Sequence, residues 1–261
     1  MIIMKSHSII RSFLYIIFLA VTLPVHAQED PKAILTRAVD QMMTDQMELS
    51  MDIQITDEKG RVKEKAYDIL MAKFGEVEKT MMVMQKPERA KGVTVLITNM
   101  PGETGVIEVY TPANGKVRKM QATPENMDRV GSNMILSGYT SQNLDDLNYS
   151  QVEKQEVDGK NCHAFHVSDP TDPQGMKAEF LVEESTYRIL QIRFFDDLGN
   201  NTNVTSLSDF QSIPGVEGKI QAMQIDAKDM EENTQTRMQV LKISHRPDLK
   251  EEDFAIHESS L

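Results

Sequence analysis

The sequence predicts a mainly β protein with a few helices, built on an antiparallel sheet. Beyond residue 45, most segments alternate apolar and polar side chains, as strands with one buried face do. Turn-forming Gly, Asn and Asp residues separate these segments at short intervals, which is typical of consecutive hairpins. Helices do not alternate with the strands, so a parallel sheet is not predicted. We expect about eleven strands in a meander, forming one domain over residues 28–261.

The first 27 residues have the pattern of a cleavable secretory signal peptide. Lys5 and Arg11 precede or flank an apolar run over residues 13–21, and Val25-His26-Ala27 offers small residues where a signal peptidase cuts. The run is shorter than the roughly 20 apolar residues of a membrane-spanning helix, although an uncleaved anchor is the alternative. We therefore expect export of residues 28–261, and a single cysteine, which allows no internal disulfide, suggests a bacterial envelope compartment.

Composition excludes several classes of function. Asp and Glu number 40 against 28 Lys and Arg, giving a net charge of −12, which argues against nucleic-acid binding. The single cysteine, Cys162, rules out an internal disulfide and a cysteine-rich metal site. The 18 methionines are the unusual feature. Their flexible, polarizable side chains suit either a core or an adaptable apolar surface, and composition does not choose between the two.

Local signals place one helix and two tight turns. Asp30 is a predicted N-cap with Pro31 at the first helical position, and apolar residues then recur at helical spacing as far as Met43. Asn114-Gly115 and Asp158-Gly159 each predict a two-residue hairpin turn, since both dipeptides favour the backbone conformations that such turns require.

Residues 121–147 interrupt the strand pattern. This stretch is rich in apolar side chains but lacks strict alternation, so it predicts short helices and loops inserted between strands. An insertion this apolar needs a surface to lie against. Two interpretations stay open: a plug that completes the core, or a lid over a cavity.

Several segments together resemble the LolA-like proteins, the bacterial outer-membrane lipoprotein-sorting family. Residues 87–96 resemble one conserved stretch, and residues 108–112 with 115–119 resemble the next. Residues 137–147 loosely resemble a third, and Asp253-Phe254 resembles the closing element. The order of these segments along residues 33–256 carries the resemblance more than any single one.

The resemblance implies both a fold and a function. The fold is a strongly curved antiparallel sheet forming a half-open β-barrel, with a helical lid over its mouth. The implied function is a non-enzymatic periplasmic carrier that binds lipoprotein acyl chains or other lipids for sorting or transport to the outer membrane. Such a carrier needs no cofactor, and it would exchange cargo with an inner-membrane transporter and an outer-membrane acceptor.

The candidate ligand-binding residues are those expected to line the cavity or the lid. Ordinary core packing is the alternative for each of them. Met82 and Met84 should share one face of a strand while Met81 points to the other. Arg118 is a candidate for contacting a lipid head group or holding the lid, although an exposed strand arginine is the simpler interpretation. The full set of cavity and lid candidates is Met82, Met84, Tyr110, Met127, Met134, Ile135, Leu136 and Tyr139.

No catalytic or metal site is predicted. Cys162, His163 and His166 are the residues that invite such a hypothesis. On a strand, two histidines three residues apart face opposite sides, so they would not share a metal ion. The sequence lacks a zinc-protease helix motif, a nucleophile elbow and a phosphate-binding loop.

Two other functions stay open at this stage. The same fold could serve as a periplasmic sensor, or as an accessory subunit of a membrane lipid exporter or signalling protein. A hydrolase acting on envelope lipids or glycans is the third hypothesis, and the absence of a catalytic constellation in the sequence disfavours it.

Overall fold

The structure is a computed structural model, which describes residues 29–42, 44–129, 144–170 and 177–256. The predicted signal peptide lies outside these residues. Within them, none of the helices has the length and apolar character needed to cross a membrane.

Two α-helices are present in the described chain, α1 (Pro31–Met42) and α2 (Pro124–Arg129). Asp30 precedes α1, and its carboxylate accepts a hydrogen bond of 3.1 Å from the backbone N–H of Lys32. This bond satisfies one of the free N–H groups at the helix start, which confirms the predicted N-cap.

The strands alternate with short turns along the rest of the chain. In order they are β1 (Gln46–Thr56), β2 (Val62–Phe74), β3 (Val77–Lys86), β4 (Thr94–Asn99), β5 (Val106–Thr111), β6 (Lys116–Gln121), β7 (Asn148–Tyr149), β8 (Glu153–Val157), β9 (Lys160–Ser168), β10 (Lys177–Glu183), β11 (Ile189–Phe195), β12 (Asn201–Ser212), β13 (Ile220–Asp229) and β14 (Thr234–His245).

All fourteen strands of the described chain belong to one antiparallel sheet. Thirteen follow the order β6-β5-β4-β3-β2-β1-β14-β13-β12-β11-β10-β9-β7, and β8 lies beside this path, paired with β9. Two meanders, β1–β6 and β7–β14, are joined where β1 pairs with β14. The sheet is curved and does not close, which confirms the expected half-open barrel. The strand count exceeds the predicted eleven partly because the strand expected over residues 149–157 is divided into β7 and β8, which both pair with β9.

The sheet has one extensively buried face, and we call it the inner face. Helix α1 packs against it through Ile34, Leu35 and Val39. Met47, Leu49, Met51 and Ile53 alternate along β1 and join the same cluster, so the period-two pattern of the sequence follows from this burial. The opposite face, the outer face, carries two smaller apolar clusters.

Both predicted hairpins are present, but only one of them has the predicted two-residue turn. Asp158 and Gly159 join β8 to β9 with φ angles of 51° and 78°, so both have the positive φ of a type I′ turn. Between β5 and β6, however, Pro112–Asn114 forms a turn of 3₁₀ helix that Gly115 ends in the left-handed conformation. The Pro at the start of this turn extends the loop to four residues.

Candidate functional site

Residues 122–147, which we call the connection, join the two free edges of the sheet. Strand β6 forms one edge and β7 lies at the other, yet these strands are consecutive in sequence. The described ends of the connection are helical, with α2 at the start and a 3₁₀ turn at Leu144–Asp146 near the end. The sequence-based prediction of short helices at this position is therefore confirmed for these ends.

Both ends of the connection pack against the inner face. Met127 and Leu147 lie against the main apolar cluster, and Leu144 is fully buried within it. The Tyr149 hydroxyl donates a hydrogen bond of 2.7 Å to the carbonyl oxygen of Leu144. Burial raises the pKa of Tyr149 to about 12, and the negative charges of Asp145 and Asp30 act in the same direction. The neutral hydroxyl thus remains a hydrogen-bond donor.

Methionine is concentrated on the inner face. Among the described residues, ten methionines belong to or pack against the main cluster, six of them buried and four partly buried. Because thioether side chains are unbranched and adaptable, they give this face a lining that can adjust its shape. The buried ones are Met42, Met47, Met51, Met82, Met223 and Met238, and the partly buried ones are Met71, Met84, Met120 and Met127.

Three methionines on β3 show how strictly the two faces are separated. Met82 is buried in the main cluster, and Met84 packs against that cluster from the same side of β3. Met81 instead packs on the outer face, against the cluster around Phe254. The prediction that Met82 and Met84 share a face that excludes Met81 is confirmed.

The remaining candidate ligand-binding residues do not all lie on the inner face. Tyr110 is buried, but alternation along β5 puts Ile107 and Val109 on the inner face and Tyr110 on the outer one. Arg118 is exposed and lies opposite Val109, on the inner-face side of the edge strand β6. Four further candidates lie outside the described residues: Met134, Ile135, Leu136 and Tyr139.

The histidines and the cysteine of β9 do not form a shared site. His163 is buried on the side of Phe165, with its Nε2 atom 3.3 Å from the Glu29 carboxylate, whereas His166 is exposed. They face opposite sides, as predicted. Cys162 is buried, and burial raises the pKa of its thiol, which disfavours the reactive thiolate. Among the described residues, no group of three His, Cys, Asp or Glu side chains could hold a metal ion.

Sequence reasoning missed a buried polar cluster on the outer face. Glu179 is 6% exposed, and its carboxylate accepts hydrogen bonds from Arg193 at 3.0 Å and from Gln155 at 2.8 Å. The only signal that could have found it is the pairing of β10 with β11, which sets Glu179 directly opposite Arg193. Because each polar group has a partner, the cluster is consistent with a structural role.

Comparison with known proteins agrees with this architecture. A DUF1329 family protein from Desulfovibrio piger superimposes with a TM-score of 0.71 at 16% identity, covering 86% of this chain and 95% of that one. A putative outer membrane lipoprotein-sorting protein domain from Vibrio parahaemolyticus gives 0.67 at 12% identity, covering 85% and 95%. A LolA superfamily protein from Nitrosomonas europaea gives 0.61 at 14% identity, covering 86% and 97%.

Sequence comparison adds the family. No curated protein sequence matches the chain. A family model described as "Uncharacterized protein" matches residues 76–258, which is more than half of the chain. The chain therefore belongs to this family of uncharacterized proteins, and its fold is the half-open barrel of the LolA-like proteins.

Proposed function

We propose that this protein is a periplasmic carrier that holds the acyl chain of a lipid or lipoprotein against the inner face of its open sheet. The single observation that carries the proposal is the methionine-rich apolar lining on one face of a sheet that does not close. An inner-membrane donor and an outer-membrane acceptor would load and unload the cargo. Residues 1–27 would direct export of the single domain over residues 28–261.

The physical chemistry of an acyl chain fits this face. Transfer of apolar surface out of water stabilises by about 25 cal/mol per Å², or about 0.8 kcal/mol for each CH₂ group. A chain of a dozen carbons thus gains most of its affinity without directional bonds. A binding surface for it needs adaptable side chains more than precisely placed ones, and methionine supplies them.

The connection between the sheet edges would serve as the lid. Its two described ends already pack on the inner face through Met127 and Leu144. Acting as a lid would require the connection to change its position when an acyl chain enters or leaves. The lid and the core-plug interpretations of residues 121–147 then describe the loaded and the empty carrier.

Lipid extraction tests the proposal. Protein purified from its host envelope, without detergent, should carry acyl chains that are detected by native mass spectrometry and identified after organic extraction. A protein that is empty, and stays empty when lipids are supplied, would refute the carrier function.

Met84 and Met81 provide a matched pair of variants for the same experiment. Both are partly buried on β3, but only Met84 lies on the inner face. Met84→Gln should lower the affinity for the acyl chain by up to about tenfold, because one apolar contact group is lost. Met81→Gln should leave this affinity unchanged. Equal losses in the two variants would contradict binding at the inner face.

A further inference from the structure

Strand β2 changes from apolar to basic along its inner face. Tyr67 and Ile69 are buried in the main cluster, and alternation places Lys65 and Lys63 on the same side, nearer the start of the strand. Lys65 lies directly opposite Ile53 of β1, which belongs to that cluster. Lys65 and Lys63 therefore lie directly beside the apolar residues on the inner face of β2.

Strand β6 shows the same change at the same end of the sheet. Met120 packs against the main cluster, and alternation puts Arg118 and then Lys116 on its side, nearer the start of β6. Since β2 and β6 are separated by three antiparallel strands, they run in the same direction and begin at the same end. We call Lys63, Lys65, Lys116 and Arg118 the basic rim.

The basic rim lacks carboxylate partners within the described chain, whereas neighbouring outer-face cations have them. Lys119 forms an ion pair of 2.6 Å with Glu108, and Lys86 lies 3.6 Å from Asp52. Lys65 is also half-buried, although burial of an ammonium group without a counter-ion is unfavourable. Four cations that have no carboxylate partner among the described residues lie on one side of a chain with net charge −12, so the local charge is opposite in sign to the overall charge.

We infer that the cargo is an anionic amphiphile, with its acyl chain on the inner face and its phosphate or carboxylate head group on the basic rim. This inference rests on the proposed function and names the ligand class. Two cations two residues apart on a strand lie roughly 7 Å from each other, which suits one such group between them. The Lys63/Lys65 pair and the Lys116/Arg118 pair are therefore two places where a head group can bind.

Ligands that differ only in the head group test the inference. Dodecyl phosphate, dodecanoate and dodecanol share one chain length. Each is titrated into the protein below the concentration at which it forms micelles or a separate phase, with binding followed by native mass spectrometry. We expect dodecyl phosphate to bind at least about tenfold more tightly than dodecanol, with a preference that falls at high salt. Comparison with dodecanoate separates phosphate from carboxylate recognition.

Double variants identify the cations involved. One double variant is Lys116→Gln/Arg118→Gln, and the other is Lys63→Gln/Lys65→Gln. At least one of these two variants should reduce the preference for dodecyl phosphate about tenfold and leave dodecanol binding unchanged. Lys228→Gln/Lys242→Gln is the control, because it removes the same charge from exposed lysines on the outer face. A preference that persists in both rim variants, or falls equally in the control, would overturn the inference.

Three further outcomes are distinguishable. Equal affinity of the wild-type protein for dodecyl phosphate and dodecanol would overturn the head-group site while the carrier function stands; binding of neither would overturn both. If the protein sediments with phosphatidylglycerol vesicles through the same cations, yet shows no preference for dodecyl phosphate, the basic rim is a membrane-docking surface and the inference is wrong.

Discussion

Lys32 of α1 and Asp145 of the connection form an ion pair of 2.8 Å. It links the helix that fills the inner face to the segment that joins the sheet edges. The hydrogen bond to Asp145 raises the pKa of Lys32, so the contact favours the charged form of the lysine. Both side chains are largely exposed, so the pair is expected to influence local order more than global stability.

Breaking this ion pair should loosen the end of the connection. Asp145→Asn is expected to change the free energy of unfolding by less than about 1 kcal/mol, because exposed pairs contribute little. Hydrogen exchange of the backbone over residues 144–149 should nevertheless become faster, while exchange in β1 stays the same. Lys59→Ala, at another exposed ion pair, is the control and should leave residues 144–149 protected.

The buried methionines should tolerate leucine but not alanine. Met82 is 3% exposed, so Met82→Ala is expected to cost about 2–5 kcal/mol through lost contacts and a cavity. Met82→Leu should cost less than about 1.5 kcal/mol. Urea unfolding measures both values, and a leucine variant as unstable as the alanine variant would contradict ordinary packing at this position.

Replacing several methionines at once separates stability from adaptability. Leucine at Met47, Met51, Met82 and Met238 should keep the fold but narrow the range of acyl-chain lengths that bind, because leucine has fewer rotatable bonds. Native mass spectrometry with fatty acids of different lengths measures this range. An unchanged range in the quadruple variant would show that methionine flexibility is not needed for binding.

Tyr149 predicts an alkaline loss of stability. Its folded-state pKa of about 12 lies above the unfolded value near 10, so its contribution is fully present below about pH 10 and is lost as pH rises to about 12. Tyr149→Phe should remove part of this loss, as measured by unfolding midpoints between pH 9 and about 12. An identical pH dependence in wild type and variant would show that Tyr149 is not responsible.

Arg246 controls the ionisation of Asp248. Its guanidinium donates hydrogen bonds of 2.9 and 2.8 Å to the Asp248 carboxylate, which lowers the pKa of Asp248 to about 2. The folded-state pKa is below the unfolded one, so this stabilisation is present above about pH 4 and is lost as pH falls to about 2.

Removing the guanidinium should return Asp248 to ordinary behaviour. In Arg246→Gln, the carboxyl ¹³C resonance of Asp248 is expected to titrate at a higher pH than in the wild-type protein. Arg237→Gln, which breaks the separate ion pair with Asp226, should not move this titration. A shift in both variants would point to a general charge effect instead of the direct hydrogen bonds.

Local patterns in the sequence predicted the local structure. The N-cap at Asp30, the turn at Asp158-Gly159 and the division of faces between Met81 and Met82 each depend on a few neighbouring residues. The turn at Asn114-Gly115 was predicted wrongly because Pro112 begins a 3₁₀ turn ahead of it. At this turn, the preference of Pro112 for starting a 3₁₀ turn outweighed the preference of Asn114-Gly115 for a two-residue hairpin turn.

Long-range features could not be obtained in the same way. The pairing of β1 with β14 joins segments almost two hundred residues apart, and only the folded sheet reveals it. The basic rim likewise depends on which strands share an end of the sheet, so the sequence suggested Arg118 but not Lys63 or Lys65. Tyr110 was expected near the cavity, although alternation from Ile107 places it on the outer face.

Photo-crosslinking tests directly whether the acyl chain lies on the inner face. A fatty acid with a diazirine near the end of its chain is bound to the purified protein, irradiated, and mapped by peptide mass spectrometry. We expect labelling of partly buried inner-face side chains such as Met71, Met84 and Met120, with Met81 unlabelled. Labelling confined to the outer face, or none with a bound lipid present, would contradict the claim that the inner face holds the acyl chain.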